Sequence, residues 1–462
     1  MMNFISFQFL IFIIILVTIL HFVKDNKKQH IVLIIASYIF YALADIRFLG
    51  LLIALSVFTW FIGQKIESGG NKKATLIVGI SVDLIILGIF KYFNFFVGSV
   101  CELFGREYNS LKILLPVGIS FYIFQSISYI ADIYKKRIKA EGLINTLLYI
   151  GFFPKMISGP IVKARDFLPQ LQKAHIITWD NISYGIQRFA LGMFKKLVIA
   201  DRLGVCVDAV YSCPAAYSGL SIMIAVISYS LQIYYDFAGY SDMAIGVGHI
   251  LGFDLGENFN LPYLSKNPSE FWKRWHISLS SWFTEYVYIP LGGNRRGKIR
   301  TCLNITITML LSGLWHGASW SYVVWGALFA LGQVIHKLFD YLPVHRNKKS
   351  RIVDTICIAV NFCFTSLLWI PFRTNDSSKT ILICKRLFSW SNGISYIYVF
   401  SIIFVVLLLV VELIALVKNN GNNIWKPLNF GKFGSKVVFC TFVLLIVVFA
   451  YVGNGAFIYS GF

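Results

Sequence analysis

The sequence predicts an all-α protein that crosses a membrane many times. It should have about 11 spanning or membrane-embedded helices, with additional in-plane or re-entrant helices in the middle third. Three observations carry this expectation. Of the 462 residues, 57% are hydrophobic and only 14% charged, where a soluble chain carries about 25% charged residues; mean hydropathy is +0.68. Apolar runs near the ~20 residues that a spanning helix needs recur at 4–23, 76–97, 113–133, 219–253, 302–336, 352–372, 396–417 and 437–453. Finally, the Lys and Arg residues behind the net charge of +20 gather in short loops between these runs. That distribution is a topology signal and excludes the single basic face of a nucleic-acid binder.

Each element follows from these rules. The run 4–23 lacks a basic leading segment and a small-x-small cleavage site, so it reads as a first span rather than a removable signal peptide. Lys24, Lys27 and Lys28 follow it, which places the N-terminus outside. Two arms, 31–44 and 46–63, turn at Asp45-Ile46-Arg47 and return to Lys65, Lys72 and Lys73. The run 76–97 then goes out and 113–133 comes back to Lys135, Lys136, Arg137 and Lys139. Between 141 and 293, Pro-Gly breaks ("FFPKMISGPIVKARDF") and a basic amphipathic stretch ("SYGIQRFALGMFKKLVIADRL") point to re-entrant or in-plane helices. Both ends of that region are basic, so it crosses an even number of times, and two or four crossings fit equally well. A hairpin over 301–336 and three further spans complete the chain. Arg346, Lys348, Lys349 and Arg351 fall inside and, by parity, the C-terminus outside. The expectation is one integral-membrane domain over 1–462 in the cytoplasmic (inner) cell membrane. Its parts are N-terminal spans (1–140), a core containing His276 (141–300), a hairpin containing His316 (301–336) and C-terminal spans (337–462).

The hairpin holds a histidine where a bilayer does not welcome one. In "LLSGLWHGASW", His316 sits near the midpoint of 301–336, with both ends anchored by basic residues. Fifteen helical residues rise about 22 Å, most of the way through a hydrocarbon core of about 30 Å. Gly313, Gly317 and Ser319 permit a break or a close helix approach there. Two readings stand: a ring that donates one hydrogen bond across a helix interface, or a functional group, since ionisable residues at membrane depth mark pathways, relays or reactive sites. A neutral imidazole is suited to take a proton from a hydroxyl.

Two other stretches carry candidate residues. From Asn267, Pro268 and Glu270, a cap, a first-turn proline and an acid at the third position predict a helix start. Trp272, Trp275, His276, Leu279 and Trp282 continue at helical spacing, the tryptophans reading as an interfacial aromatic belt. His276 is less well explained by anchoring, and its role stays open at this level. In "YYDFAGYSDMAIG", Asp236 and Asp242 lie six positions apart and project about 240° apart on a helix. They are therefore expected to make separate polar contacts to neighbouring helices rather than a paired-carboxylate site. His249 is expected to be structural, and His21, His30, His175, His336 and His345, at span ends or in loops, receive no role. The eight cysteines show no C-x-x-C pair and read as small core residues. No cluster has metal-ligand spacing, so neither a metal nor a bound cofactor is expected. No G-x-S-x-G elbow or phosphate loop appears either.

Five segments in order resemble the membrane-bound O-acyltransferase family. They are "PVGISFYIFQSISYIADIYK" (116–135), "FFPKMISGPIVKARDF" (152–167), "LQIYYDFAGYSDMAIGVGHILGF" (231–253), "SEFWKRWHISLSSWFTEYVYIPLGGNRRG" (269–297) and "SGLWHGASWSYVVWG" (312–326). Within the family, the run "YIPLGGNRRG" is similar to the bacterial alginate O-acetyltransferase branch. The resemblance implies that His316 occupies the position of the family's catalytic histidine and His276 that of its second motif residue. It further implies acetyl transfer to an exported polysaccharide and an extracytoplasmic SGNH-hydrolase-like partner that completes the modification.

The expected function is therefore a membrane O-acyltransferase embedded in membrane lipid. It would take an acyl group, expected to be acetyl, from acetyl-CoA or another acyl-CoA at the cytoplasmic face, and deliver it to a hydroxyl reached from outside, for O-acetylation of a cell-surface polysaccharide. His316 would be the base, and His276 would bind or polarise the acyl carbonyl. The basic loop of Arg295, Arg296 and Lys298 would attract the donor's phosphates, although a positive-inside signal explains it equally well. Alternatives are D-alanyl or lipid acyl transfer, a polysaccharide-precursor transporter, for which broken helices are also a mark, and a non-catalytic scaffold.

Overall fold

Apolar periodic runs that must satisfy their own backbone groups in lipid can only become helices, and the computed structural model is helical wherever its described residues form regular structure. It describes residues 2–157, 159–172, 177–340, 351–419, 422 and 425–451. His175, His345, Arg346, Lys348 and Lys349 lie outside them. Among the described residues, six stretches are long and apolar enough to cross a membrane: Asn26–Ser68, Lys72–Leu103, Gly219–Ile250, Trp320–Phe339, Ile352–Thr374 and Val399–Asn419. Two shorter apolar helices, Phe7–Phe22 and Phe433–Phe449, accompany them. Their outer faces expose large aliphatic side chains, such as Ile14 and Ile15 on the first helix and Leu409 and Leu413 near the C-terminal end. This is the surface a polytopic protein presents to lipid.

The expected turn at Asp45 forms as a short 3-10 segment, Ile46–Phe48, between helices Asn26–Asp45 and Leu49–Ser68. Asp45 caps it by accepting from the Arg47 backbone N–H. The run 113–133 differs from its expectation, because only Ile119–Tyr134 is helical and every side chain from Ile119 to Ile133 is buried. Its 16 residues rise about 24 Å, short of a ~30 Å core. Its apolarity reflects burial inside protein rather than contact with lipid. The Pro-Gly segment gives two short helices, Phe153–Met156 and Ala164–Leu171. Between them and their neighbours Lys155 is buried, its Nζ 3.9 Å from the ring centre of Tyr149 and 4.3 Å from that of Phe167. Burial pushes this amine well below the ordinary lysine value.

The chain forms two compact units. One comprises the described residues of Met1–Leu191 with Tyr240–Gly256, the other those of Gly192–Gly239 with Glu257–Ile458. In the first, Arg188 meets Asp242 through Nε at 2.9 Å and a terminal guanidinium nitrogen at 2.7 Å, with both side chains almost wholly buried. In the second, the Nζ of Lys196 lies 2.6 Å from Asp236 and 2.8 Å from Asp201. Burial opposes charge on Lys196, but the carboxylates of Asp236 and Asp201 hold its pKa above the ordinary lysine value. The two aspartates of "YYDFAGYSDMAIG" thus take different cations, as their angular separation requires.

A buried charge left without its counter-ion costs ~3–5 kcal/mol, whereas replacing the whole pair by apolar groups is often near neutral. We expect Asp242→Leu alone to lower the thermal transition of the detergent-solubilised protein far more than Arg188→Met with Asp242→Leu together. Additive losses in the double variant would contradict this.

Candidate active site

The second unit gathers both candidate histidines. Helix Lys298–His316 begins after Gly297 and ends on His316 itself; Gly317–Ser319 turn the chain into helix Trp320–Asp340. The glycines of the motif make this hairpin possible. A methyl group on Gly313 would strike the backbone carbonyl oxygen of Tyr322, and one on Gly326 would strike that of Met309 and come within 3.3 Å of Gly313 Cα. The two helices therefore touch backbone to backbone one turn before His316. Gly317 is needed for space, since a Cβ there would come within 2.6 Å of the Tyr322 ring.

His316 is buried at 1% exposure. Its ring is enclosed by aromatic side chains, with centroids 4.9 Å from Trp315, 5.0 Å from Trp325 and 5.2 Å from Phe372, each close to edge-on. Tyr322, which covers Gly317, packs on Phe372 at 5.1 Å, and Trp325 stacks on Trp369 at 5.8 Å. Edge-to-face packing at these distances is the favoured arrangement of aromatic quadrupoles, and it keeps water from the imidazole.

His276 is reached differently from the expectation. The helix start is as the residues predict: Asn267 Oδ1 accepts from the Glu270 backbone N–H at 2.8 Å and Pro268 opens the first turn. The helix, however, stops at Arg274, and a second one runs Ile277–Phe283. A continuous helix over 267–286 is thus corrected, because His276 adopts the left-handed conformation (φ 44°, ψ 56°) at the junction. Such a conformation costs a non-glycine residue roughly 1 kcal/mol or more and persists only where the surroundings impose it. The interfacial belt is corrected too, since Trp272, Trp275 and Trp282 are buried. Trp275 packs between Phe271 at 5.5 Å and Trp369 at 5.0 Å.

The break turns the His276 side chain into the protein, where it is fully buried. Nδ1 lies 3.1 Å from Asn258 Oδ1. The ring meets Phe237 edge-on at 4.6 Å and Trp315 at 5.9 Å. Burial lowers the imidazole from its ordinary 6.5 to about 3, so it is neutral at physiological pH; His276 lies outside the six candidate spans. Trp315 is therefore a ring neighbour of both imidazoles. Asn258, Trp369 and Phe372 carry no signal in the sequence, because they are neutral residues brought in from outside the motif segments. His249 packs its ring on Tyr184 at 4.2 Å. Among the described residues no group of three or more His, Cys, Asp or Glu side chains could hold a metal ion.

The fold and this site define an integral membrane protein that holds two buried histidines, His276 and His316, against one tryptophan, Trp315. The model for the membrane-bound O-acyltransferase family matches residues 134–368. The chain is 41% identical over 367 residues to the probable alginate O-acetylase AlgI of Pseudomonas syringae pv. tomato, covering 77% of this chain and 69% of that protein. It is 32% identical over 406 residues to the peptidoglycan O-acetyltransferase of Helicobacter pylori, covering 81% and 76%. It is 31% identical over 240 residues to the teichoic acid D-alanyltransferase of Bacillus subtilis, covering 48% and 59%. The chain belongs to the membrane-bound O-acyltransferase family.

A backbone contact cannot move aside as a flexible side chain can, so overpacking it costs ~1–3 kcal/mol. Gly313→Ala is expected to lower the thermal transition of the solubilised protein, while Gly50→Ala, whose Cβ would meet open space, leaves it unchanged or raised. Equal responses would show that the hairpin contact is not tight.

Proposed function

We propose that this acyltransferase moves an acetyl group from a thioester donor, acetyl-CoA, to a hydroxyl reached from the outer side, for O-acetylation of an exported cell-surface polysaccharide, with His316 as general base. The observation that carries the reading is the burial of His316 within the ring of Trp315, Trp325 and Phe372 at the end of a helix. An imidazole can take a proton from a hydroxyl, and a site closed to water protects a thioester from hydrolysis. The names of the alginate and peptidoglycan acetylating relatives support acetyl as the group and a polysaccharide as the acceptor.

The chemistry balances without a metal or a covalent enzyme intermediate. His316 takes the hydroxyl proton as the oxygen attacks the thioester carbonyl. The new C–O bond forms, the C–S bond breaks, and the departing thiolate recovers the proton from the imidazolium. Starting from an already activated ester, positioned proton transfer contributes about 10²–10⁴-fold. The donor enters from the cytoplasmic side, where Arg295, Arg296 and Lys298 attract its phosphates, at the opposite end of the helix from His316. The two ends are about 27 Å apart along the axis. The protein lies in the inner membrane, and an extracytoplasmic SGNH-hydrolase-like partner completes delivery to the polymer.

His316→Ala, at matched membrane levels and with other family copies deleted, is expected to reduce the ester-linked acetate released from envelope polysaccharide by mild alkali by at least about 10²-fold. Loss of D-alanine or of a longer acid instead would reassign the acyl group. Unchanged ester content would remove His316 as the base.

A further inference from the structure

The hydrogen atoms around Asn258 can be counted. Its Oδ1 lies 3.2 Å from the backbone nitrogen of Ser278, 2.9 Å from Ser278 Oγ and 3.1 Å from His276 Nδ1. A backbone N–H can only donate, so the Asn258 atom at the centre of these contacts is the carbonyl oxygen and not the amide nitrogen. An amide oxygen only accepts, and His276 Nδ1 must therefore carry a hydrogen. Ser278 Oγ is 3.5 Å from Nδ1, too long to compete as its partner. A neutral ring with hydrogen on Nδ1 holds its lone pair on Nε2, and Nε2 is buried with no hydrogen-bond partner among the described residues.

The same asparagine fixes the ring's position. The Ile277 backbone N–H donates to the Asn258 carbonyl oxygen at 2.9 Å, so Asn258 grips the residues on the C-terminal side of His276 through both its backbone and its side chain. That grip holds the left-handed junction closed. The other neighbours of the ring, Phe237 and Trp315, carry no charge.

We infer that Asn258 is a positioning residue that locks His276 in the Nδ1–H form, so that Nε2 presents an acceptor to a hydroxyl group of the acyl acceptor. This rests on the acyl-transfer reading and refines it. Polarising an acyl carbonyl requires an N–H on the side facing the substrate, and here the N–H is spent on Asn258. With His316 taking the proton of the reacting hydroxyl, His276 takes a hydrogen bond from a second hydroxyl. The matching acceptor is a polyol such as a sugar unit rather than a lone alcohol.

The test uses full-length protein in lipid nanodiscs with ¹⁵N-labelled histidine rings, the His276 signals being assigned by their loss in His276→Gln. The expected spectrum has a protonated Nδ1 and an unprotonated Nε2; hydrogen on Nε2 would overturn the inference. Asn258→Asp supplies a second reading. A carboxylate facing Nδ1–H favours the imidazolium and raises the ring's pKa by about one unit or more. The KM for a polyol acceptor should therefore rise on the acid side in the variant, with kcat changed less, whereas a uniform loss at every pH would reduce Asn258 to a structural role and overturn the inference. A wild-type Nδ1–H spectrum in protein that consumes no thioester would uphold the tautomer assignment while removing the acyl-transfer reading beneath it.

Discussion

The aromatic enclosure of His316 rests on the backbone contact between Gly313 and Gly326. Because these two glycines let the hairpin helices meet without side chains between them, Trp325 and Trp315 close on His316 from both arms. Phe372, from helix Arg351–Thr374, shuts another side. A side chain at either glycine would strike the facing backbone and wedge the arms apart. The W-H-G run is therefore a packing solution as much as a chemical one: the tryptophan walls the site, the histidine occupies it, and the glycine leaves room for Tyr322.

The second imidazole shows how polarity is added beside aromatic rings without charge. His276 makes one hydrogen bond to the carbonyl oxygen of a neutral amide and packs against the rings of Phe237 and Trp315. A carboxylate in place of Asn258 would have favoured the charged ring; the neutral amide orients it while burial keeps it uncharged. Charged groups are instead satisfied in pairs elsewhere, as in Lys196 with Asp236 and Asp201. Pairing buried charges with one another and placing a neutral amide beside the ring is what a low-dielectric interior rewards.

Much of the helical architecture was legible because lipid imposes a severe filter: a run of apolar residues with no charge has few ways to fold. The cap formed by Asn267, Pro268 and Glu270 was equally plain, since its chemistry is local. The stop at Trp275-His276 was not. The left-handed residue is a histidine rather than the glycine or asparagine that marks such a position, and the helical spacing of Trp272, Trp275, Leu279 and Trp282 runs straight through it. The buried role of those tryptophans and the burial of helix Ile119–Tyr134 were hidden for a related reason. Apolarity alone does not distinguish a face turned to lipid from one turned to protein. Asn258 and Phe372 left no trace because tertiary contacts between distant segments have no period.

The most direct measurement is the fate of a doubly labelled acetyl thioester supplied to one face of proteoliposomes that contain the purified protein, its extracytoplasmic partner and a hydroxyl-bearing oligosaccharide. The account predicts that label leaves the thioester and appears as alkali-labile ester on the sugar, with free thiol released in equal amount. Movement of oligosaccharide across the membrane with the thioester intact would contradict it and make the buried histidines part of a transport path.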